Sequence, residues 1–448
     1  MICMHGSRAA DGRELKALDK SGTIPTSRGS SLTRKARWKL VKFLHSAIAV
    51  LLIVPAVIAG GEAGAGIGLT QAAPEALGLL PSQLKHIDEA VHAAIESKEI
   101  PGAVVLAARH GRIGYLKAFG NRAVTGQPEP MTLDTIFDLA SLTKVLAATP
   151  AIMTLVEQGK IRLDDKVKRY LPLFTGGGKE NITLRELLTH YSGLRADFDL
   201  SKVWTGYDAT MQELWSETTQ SEPGKEFLYS DLNFITLGEV VREVSGQPLD
   251  VFVKEHIYSV LRMNETTYNP PESWRPRIAP TETRDRSLQY LKGHDDSAAS
   301  QVILRGEVHD PTAWRMGGVS GHAGLFSSAR DIAIYAQMLL NRGRYQGVRV
   351  FSPLTVRAMT TPQSPKGSTA LRGLGWDIET GYSSPRGDLF ADGYGHTGFT
   401  GASLWIHPAT GTFIVILSTR VHPDGKGDAT HLRGVVADIV AAAIADTR

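Results

Sequence analysis

The chain has 448 residues, 42% hydrophobic and 21% charged, a balance with length and apolar content for a sizeable core. Of its 49 Lys/Arg and 46 Asp/Glu, residues 1–42 hold 10 and 3, leaving 39 against 43. The body is therefore mildly acidic and gives no sign of nucleic-acid binding, which calls for a basic face. The single cysteine, Cys3, leaves that body without disulfides, thiolate zinc sites or a thiol nucleophile.

Three segments follow in chain order. Residues 1–42 are a polar, basic extension, and Cys3 has no apolar lipoprotein signal beside it. Residues 43–73 combine an apolar run, Phe43–Ala59, with a Gly/Ala-rich link. Five basic residues in "TRKARWKLVK" precede the run, the order expected of a secretory signal or of an uncleaved membrane anchor through 43–59. An exported protein, periplasmic or extracellular, is expected. Residues 74–448 form one continuous domain. Pro81 and Ser82 open a helix with Leu84, Ile87, Val91 and Ile95 on one face. "GAVVLAARHGRIGYLKAFG" predicts two strands around a turn at His110–Gly111, and "GASLWIHPATGTFIVILSTR" repeats the pattern around Pro408–Gly411. A last helix carries Leu432, Val435, Val436, Ile439 and Val440. The fold class is thus α/β of the α+β kind. One antiparallel sheet is built from both chain ends and flanked by helices, with a mostly helical region inserted over about 141–345.

Two S-x-x-K pairs occur, Ser82–Lys85 and Ser141–Lys144. Ser82 follows Pro81 at a helix start and reads as an N-cap. Ser141, in "DLASLTKV", begins a long apolar helix ending at Gly159, with Lys144 on the same face. A serine nucleophile needs a neighbouring base. Lysine serves only where burial and nearby positive charge favour its neutral amine.

Downstream, "FLYSDLNF" contains Tyr229, the only one of 12 tyrosines with Asp or Asn two residues on, and "GYGHTGFTGASLWI" leads into a predicted strand. With "TLRELLTHYSGL", these ordered motifs resemble the serine β-lactamase and DD-peptidase superfamily. The likeness is to its class C-related branch of penicillin-binding carboxypeptidases, D-aminopeptidases and esterases. "VHDPTAWRMGGVSGHAGLFSSARD" and "STRVHP" resemble a penicillin-binding-protein-like subgroup; the first reads equally as a Gly-rich loop before a helix near Ser328.

The resemblance implies roles. Ser141 is the nucleophile, Lys144 and Tyr229 share the proton work, and Asp231 orients Lys144 or the substrate. The amides of Ser141 and Phe399 form the oxyanion hole, and His396, Thr397 and Gly398 form the strand edge that substrate pairs with. No cofactor or metal is implied, and no H-E-x-x-H pattern occurs.

Two departures stand out. Y-x-N is Y-x-D, so an Asp231–Lys144 ion pair would keep the lysine protonated and move base duty to Tyr229. K-T-G is H-T-G, which replaces a permanent cation with a histidine expected to be partly charged near neutrality. Arg420 and Thr400 are then candidates for holding a substrate carboxylate, although Arg420 also reads as a solvated surface charge. The expected function is a serine hydrolase acting by acyl-enzyme formation on a D-alanyl peptide, a β-lactam or a small ester. The rival is a penicillin-binding sensor with little turnover. "GVSGH" ends in histidine where an α/β-hydrolase elbow needs glycine.

Overall fold

The computed structural model describes residues 68–445 apart from 203, 284–301 and 391. The extension 1–42 and the apolar run Phe43–Ala59 lie outside the described residues. No helix among those described is long and apolar enough to cross a membrane.

The strands, in chain order, begin with β1 (Gly102–Arg109), β2 (Arg112–Ala123), β3 (Glu129–Pro130) and β4 (Phe137–Asp138). Next come β5 (Thr267–Tyr268), β6 (Leu325–Ser327), β7 (Arg344–Tyr345) and β8 (Val348–Arg349). The last are β9 (Leu371–Arg372), β10 (Asp377–Glu379), β11 (Tyr394–Thr397), β12 (Ser403–His407) and β13 (Thr412–Ser418). Eight of them form one sheet in the order β3-β2-β1-β13-β12-β11-β10-β9. The register Ala103↔Ser418 through Arg109↔Thr412 joins the two chain ends at its centre, as the paired hairpin patterns predict.

Every residue of β1 is buried, because helices cover both faces of the sheet. Its side chains alternate between two cores, with Val104, Leu106 and Ala108 packed toward the inserted helical region. Ala103, Val105 and Ala107 meet Ile87, Val91, Leu432, Val436 and Val440, from helices His86–Glu96 and Thr430–Ala443. Period two in the strands and period 3.6 in the terminal helices thus specify the same layer. The hairpin turn needs positive φ at His110 (53°) and Gly111 (79°), which Gly111 adopts without a Cβ penalty.

Ser82 departs from expectation. Leu80 is the N-cap of the Pro81–Leu84 turn, and no side chain caps it. Proline favours the first helical position, so the helix starts one residue earlier and Ser82 lies exposed inside it.

Between the halves of the sheet, helix Asp231–Ser245 is buried at every position from Leu232 to Val241. A helix buried all round is a central element, and its N-terminus carries the second motif into the cleft described next.

Candidate active site

Ser141 sits on a turn held from several directions. Strand β4 ends at Asp138, whose carboxylate accepts the amides of Ala140 (2.9 Å) and His309 (2.7 Å). Ala140 has φ 44°, a left-handed conformation that an L-residue adopts only under constraint, immediately before the serine. Leu142, Thr143 and Lys144 then close three-residue turns onto Leu139, Ala140 and Ser141. A π-type turn, Lys144–Ala148, leads into the helix Thr149–Glu157, and such turns recur at functional sites. The helix expected from Ser141 is thus irregular for its first two turns, and that irregularity aims the two side chains at each other.

Lys144 is fully buried. Its Nζ donates to Ser141 Oγ (2.9 Å) and to the His322 carbonyl (3.1 Å). Asp231 Oδ1 lies 2.6 Å away, an ion pair without hydrogen-bond alignment. Burial pushes the lysine toward neutrality, but Asp231 and then Tyr229 outweigh it and the pKa rises. The protonated form of Lys144 is thereby favoured. The Tyr229 pKa is raised as well, by burial first; Lys144 and the hydrogen bonds from Ser141 and Lys144 oppose that rise without cancelling it, and Asp231 adds to it. The Lys144 Nζ lies 5.0 Å from the tyrosine ring centroid.

His190 fixes that tyrosine. It ends helix Leu184–Thr189 in a left-handed conformation, stacks on Tyr229 at 4.4 Å, and accepts the Ser230 amide on Nδ1 (3.0 Å). "TLRELLTHYSGL" carried the resemblance without an assigned role, and positioning Tyr229 through His190 is what the structure gives it.

The Gly-rich motif also has a concrete place. His322 lends its carbonyl to Lys144, while its ring bridges Ser320 Oγ (2.7 Å) and Asp310 Oδ1 (2.8 Å). Burial lowers the His322 pKa, but Asp310 and then Asp231 more than offset this and the pKa rises, favouring the charged ring. Asp310 is correspondingly held below the usual carboxylate range, with the His322 charge overcoming burial. Asp197 completes the group, pushed up to about 7 by burial and by Asp231 and Asp310. Ligand atoms of Asp231, Asp310 and His322 lie within 4.8 Å of one another, the grouping among the described residues with metal-like spacing. Those carboxylates already face the Lys144 and His322 cations, so the donor set is spoken for. In the sequence this segment carries a subgroup likeness and a Gly-rich-loop reading but no residue roles; the His-Asp and Ser-Gly-His patterns within it were the available signal.

The third motif closes the cleft. Strand β10 pairs with β11 only at Asp377↔Gly395, so residues after Gly395 present an open edge. A Cβ on Gly398 would lie 2.3 Å from the Leu139 carbonyl, so glycine first permits close approach to the nucleophile turn. The amides of Ser141 and Phe399 make no hydrogen bond with the described residues.

Three expectations change here. His396 is held neutral, well below the ordinary histidine value, by burial and by the Arg372 and Lys144 charges. The Thr400 hydroxyl donates to the Asp138 carbonyl (2.7 Å) and is committed to the scaffold. Arg420 is no free surface charge: it lies 4.3 Å from the Phe399 ring centroid and donates to the carbonyls of Phe399 (2.6 Å) and Gly427 (2.7 Å). The resulting cleft has a volume of about 540 Å³ and is lined by Ser141, Tyr229, Arg372, His396, Phe399 and Arg420, among others. A second cavity, about 520 Å³ between Tyr207, Glu239, Leu249 and Gly321, contains none of the three motifs.

A family model described as Beta-lactamase matches residues 87–437, nearly the whole described body. The chain belongs to the Beta-lactamase family. Within this family it is similar to a Bacillus subtilis (strain 168) protein named N-acetylmuramyl-L-alanine amidase, 34% identical over 371 residues, 76% of this chain and 81% of that one. It is equally similar, 34% over 383 residues, to a Salmonella agona (strain SL483) protein provisionally named D-alanyl-D-alanine carboxypeptidase, covering 79% of this chain and 86% of that one. Among solved structures, EstCE1, described as a hydrolase with promiscuous acyltransferase activity, superposes with TM-score 0.63 at 24% identity, over 80% of this chain and 99% of that one. A penicillin-binding-protein homologue from Caulobacter crescentus gives 0.62 at 20% identity, over 81% and 98%. These two likenesses are of fold. The protein is a β-lactamase-fold serine hydrolase.

Proposed function

We propose that this β-lactamase family member is an exported peptidase or esterase that works through an acyl-enzyme on Ser141. The observation that carries the reading is the contact of Ser141 Oγ with a buried lysine ammonium, beneath Tyr229 and open to the 540 Å³ cleft. In this reading the reactive form carries Tyr229 as a phenolate beside the Lys144 ammonium; Ser141 Oγ attacks a carbonyl and its proton passes to the phenolate oxygen. Lys144 stays charged and stabilises both partners. The amides of Ser141 and Phe399 receive the developing oxyanion, an interaction worth roughly 3 kcal/mol per donor in comparable sites. Tyr229 then protonates the leaving nitrogen or oxygen, and water reverses the sequence to release the acid. The names of the relatives support an amide of a wall-type peptide as substrate, ahead of an ester or a β-lactam. Export rests on the basic and apolar pattern of residues 34–59, which fits a signal or an anchor.

Labelling with a fluorescent penicillin and a fluorophosphonate tests the mechanism. Wild type should label with at least one probe, and Ser141→Ala should lose at least about a thousandfold in acylation rate. Equal labelling of both proteins would end the assignment of Ser141. A panel of D-Ala-D-Ala peptide, p-nitrophenyl ester and nitrocefin then ranks the substrates; acylation without turnover on all three would favour the sensor reading.

A further inference from the structure

The turn that follows β11 contains a peptide unit with unequal ends. Its oxygen, the Gly398 carbonyl, accepts two hydrogen bonds, from the Gly401 amide (3.1 Å) and from Arg433 Nη2 (3.0 Å). Its other end is the Phe399 N–H, which has no acceptor among the described residues. In a trans peptide the C=O and N–H point in opposite directions, so a group that fixes the carbonyl also aims the amide. The second N–H of Arg433 Nη2 reaches the Ala402 carbonyl (3.1 Å), which also accepts the Gly398 amide (2.7 Å). One guanidinium nitrogen thus ties both ends of the turn. Arg433 comes from helix Thr430–Ala443, is 6% exposed and lines the cleft that holds Ser141. Burial lowers its pKa only to about 10, which leaves it charged at neutral pH. A cationic donor on a peptide oxygen draws electrons from the nitrogen and makes the N–H a stronger donor.

We propose that Arg433 is a positioning residue for the oxyanion hole: from the last helix it fixes the plane of the Gly398–Phe399 peptide and polarises it, so that the Phe399 amide meets the developing oxyanion already aimed. This rests on the acyl-enzyme reading and deepens it by assigning how one of the two donors is held. When Ser141 Oγ bonds to the substrate carbon, the carbonyl π electrons move onto the oxygen, and the amides of Ser141 and Phe399 share that charge. Arg433 acts through the Phe399 amide alone; it touches no substrate atom and exchanges no proton. The Ser141 donor is built differently. The oxygen of its peptide unit, that of Ala140, accepts the Thr143 backbone amide (3.0 Å), a neutral donor. Loss of Arg433 therefore weakens one donor and spares the other.

The test separates aim from stability. Acylation is followed with the fluorophosphonate or the fluorescent penicillin, whichever labels wild type faster, and its maximal rate constant is resolved from the half-saturating concentration. Phenylboronic acid, which forms a tetrahedral anion on a serine oxygen, reports the oxyanion site through its inhibition constant. Arg433→Met should lower the maximal rate roughly 10- to 100-fold, part of what losing a whole oxyanion donor costs, with half-saturation within about twofold. Its boronate inhibition should weaken by at least about fivefold, and Arg433→Lys, which keeps a cationic donor, should lie within about fivefold of wild type in rate. Asp438→Asn loosens the same helix where Asp438 accepts the amides of Asp388 (2.7 Å) and Leu389 (2.9 Å), away from the turn. It should lower thermal stability and leave rate and boronate inhibition within about twofold. An unchanged rate in folded Arg433→Met, a lost rate with unchanged boronate inhibition, or an equal loss in Asp438→Asn overturns the proposal. Should the Met variant not fold, Arg433→Gln takes its place; loss of fold in both assigns Arg433 to structure and likewise overturns it. Failure of wild type to label with either probe would instead end the acyl-enzyme reading.

Discussion

Two walls of one cleft treat the same residue type in opposite ways. Behind Lys144, the buried His322 has its pKa raised; around Tyr229, the equally buried His190 and His396 have theirs pushed well below the ordinary histidine value. Burial pushes all three downward, so burial is not what separates them. The difference is the neighbour: His322 faces Asp310 at 2.8 Å, whereas the other two face Arg372 and Lys144. One wall is a network of alternating charges that grips Lys144. The other is an aromatic cage around Tyr229 with Arg372 beside it in the cleft lining.

The strongest way to break this contrast is Asp310→Asn, which strands His322. Loss of a buried partner should cost about 3 kcal/mol, read by chemical denaturation. The pH dependence has a definite sign. His322, with its pKa raised from 6.5, contributes fully below that value and less as pH climbs through the folded pKa. Asp310, lowered from 3.8, contributes fully above that value and less as pH drops through its folded pKa. The penalty should therefore be greatest between about pH 4 and 6.5; a penalty that peaks above pH 8 would contradict a charged His322.

A smaller effect sharpens the other wall. Because His396 is neutral, kcat/KM should show no limb near pH 6.5 that His396→Gln removes, while that substitution lowers the rate by about three- to tenfold through altered packing beside Tyr229. A limb near that pH in wild type, absent from the variant, would mean His396 titrates after all.

A third change, confined to high pH, is expected at Asp197. A carboxyl raised from 3.8 to about 7 binds its proton more tightly in the folded state, so its contribution to stability declines as pH rises across that interval. Asp197→Asn should gain up to roughly 4 kcal/mol at pH 8 and little at pH 4, measured from denaturation midpoints. A gain at pH 4 equal to that at pH 8 would place Asp197 outside the charged network.

Much of this was legible along the chain. Ser141, Lys144, Tyr229 and Asp231 were marked by motif order, and the structure brings the first three and the Asp231 carboxylate into one contact group. The hairpins predicted at 102–120 and 401–420 pair as one sheet. The misses have local causes. Ser82 was misread as a cap because proline shifted the helix start. Arg420 and Thr400 were read by residue type, which says nothing of the Phe399 ring or the Asp138 carbonyl that engage them. His190, His322 and Arg372 belong to segments far from Ser141 in sequence, and no spacing rule links them to it.

The sequence by itself determined the chemistry on offer and the layering of the fold, since periodicity and motif order are written in neighbouring residues. Which groups carry charge was decided only in three dimensions. A pKa depends on what stands within a few ångströms, and here Asp231, Asp310 and Arg372 arrive from three separate parts of the chain to settle the states of Lys144, His322 and His396.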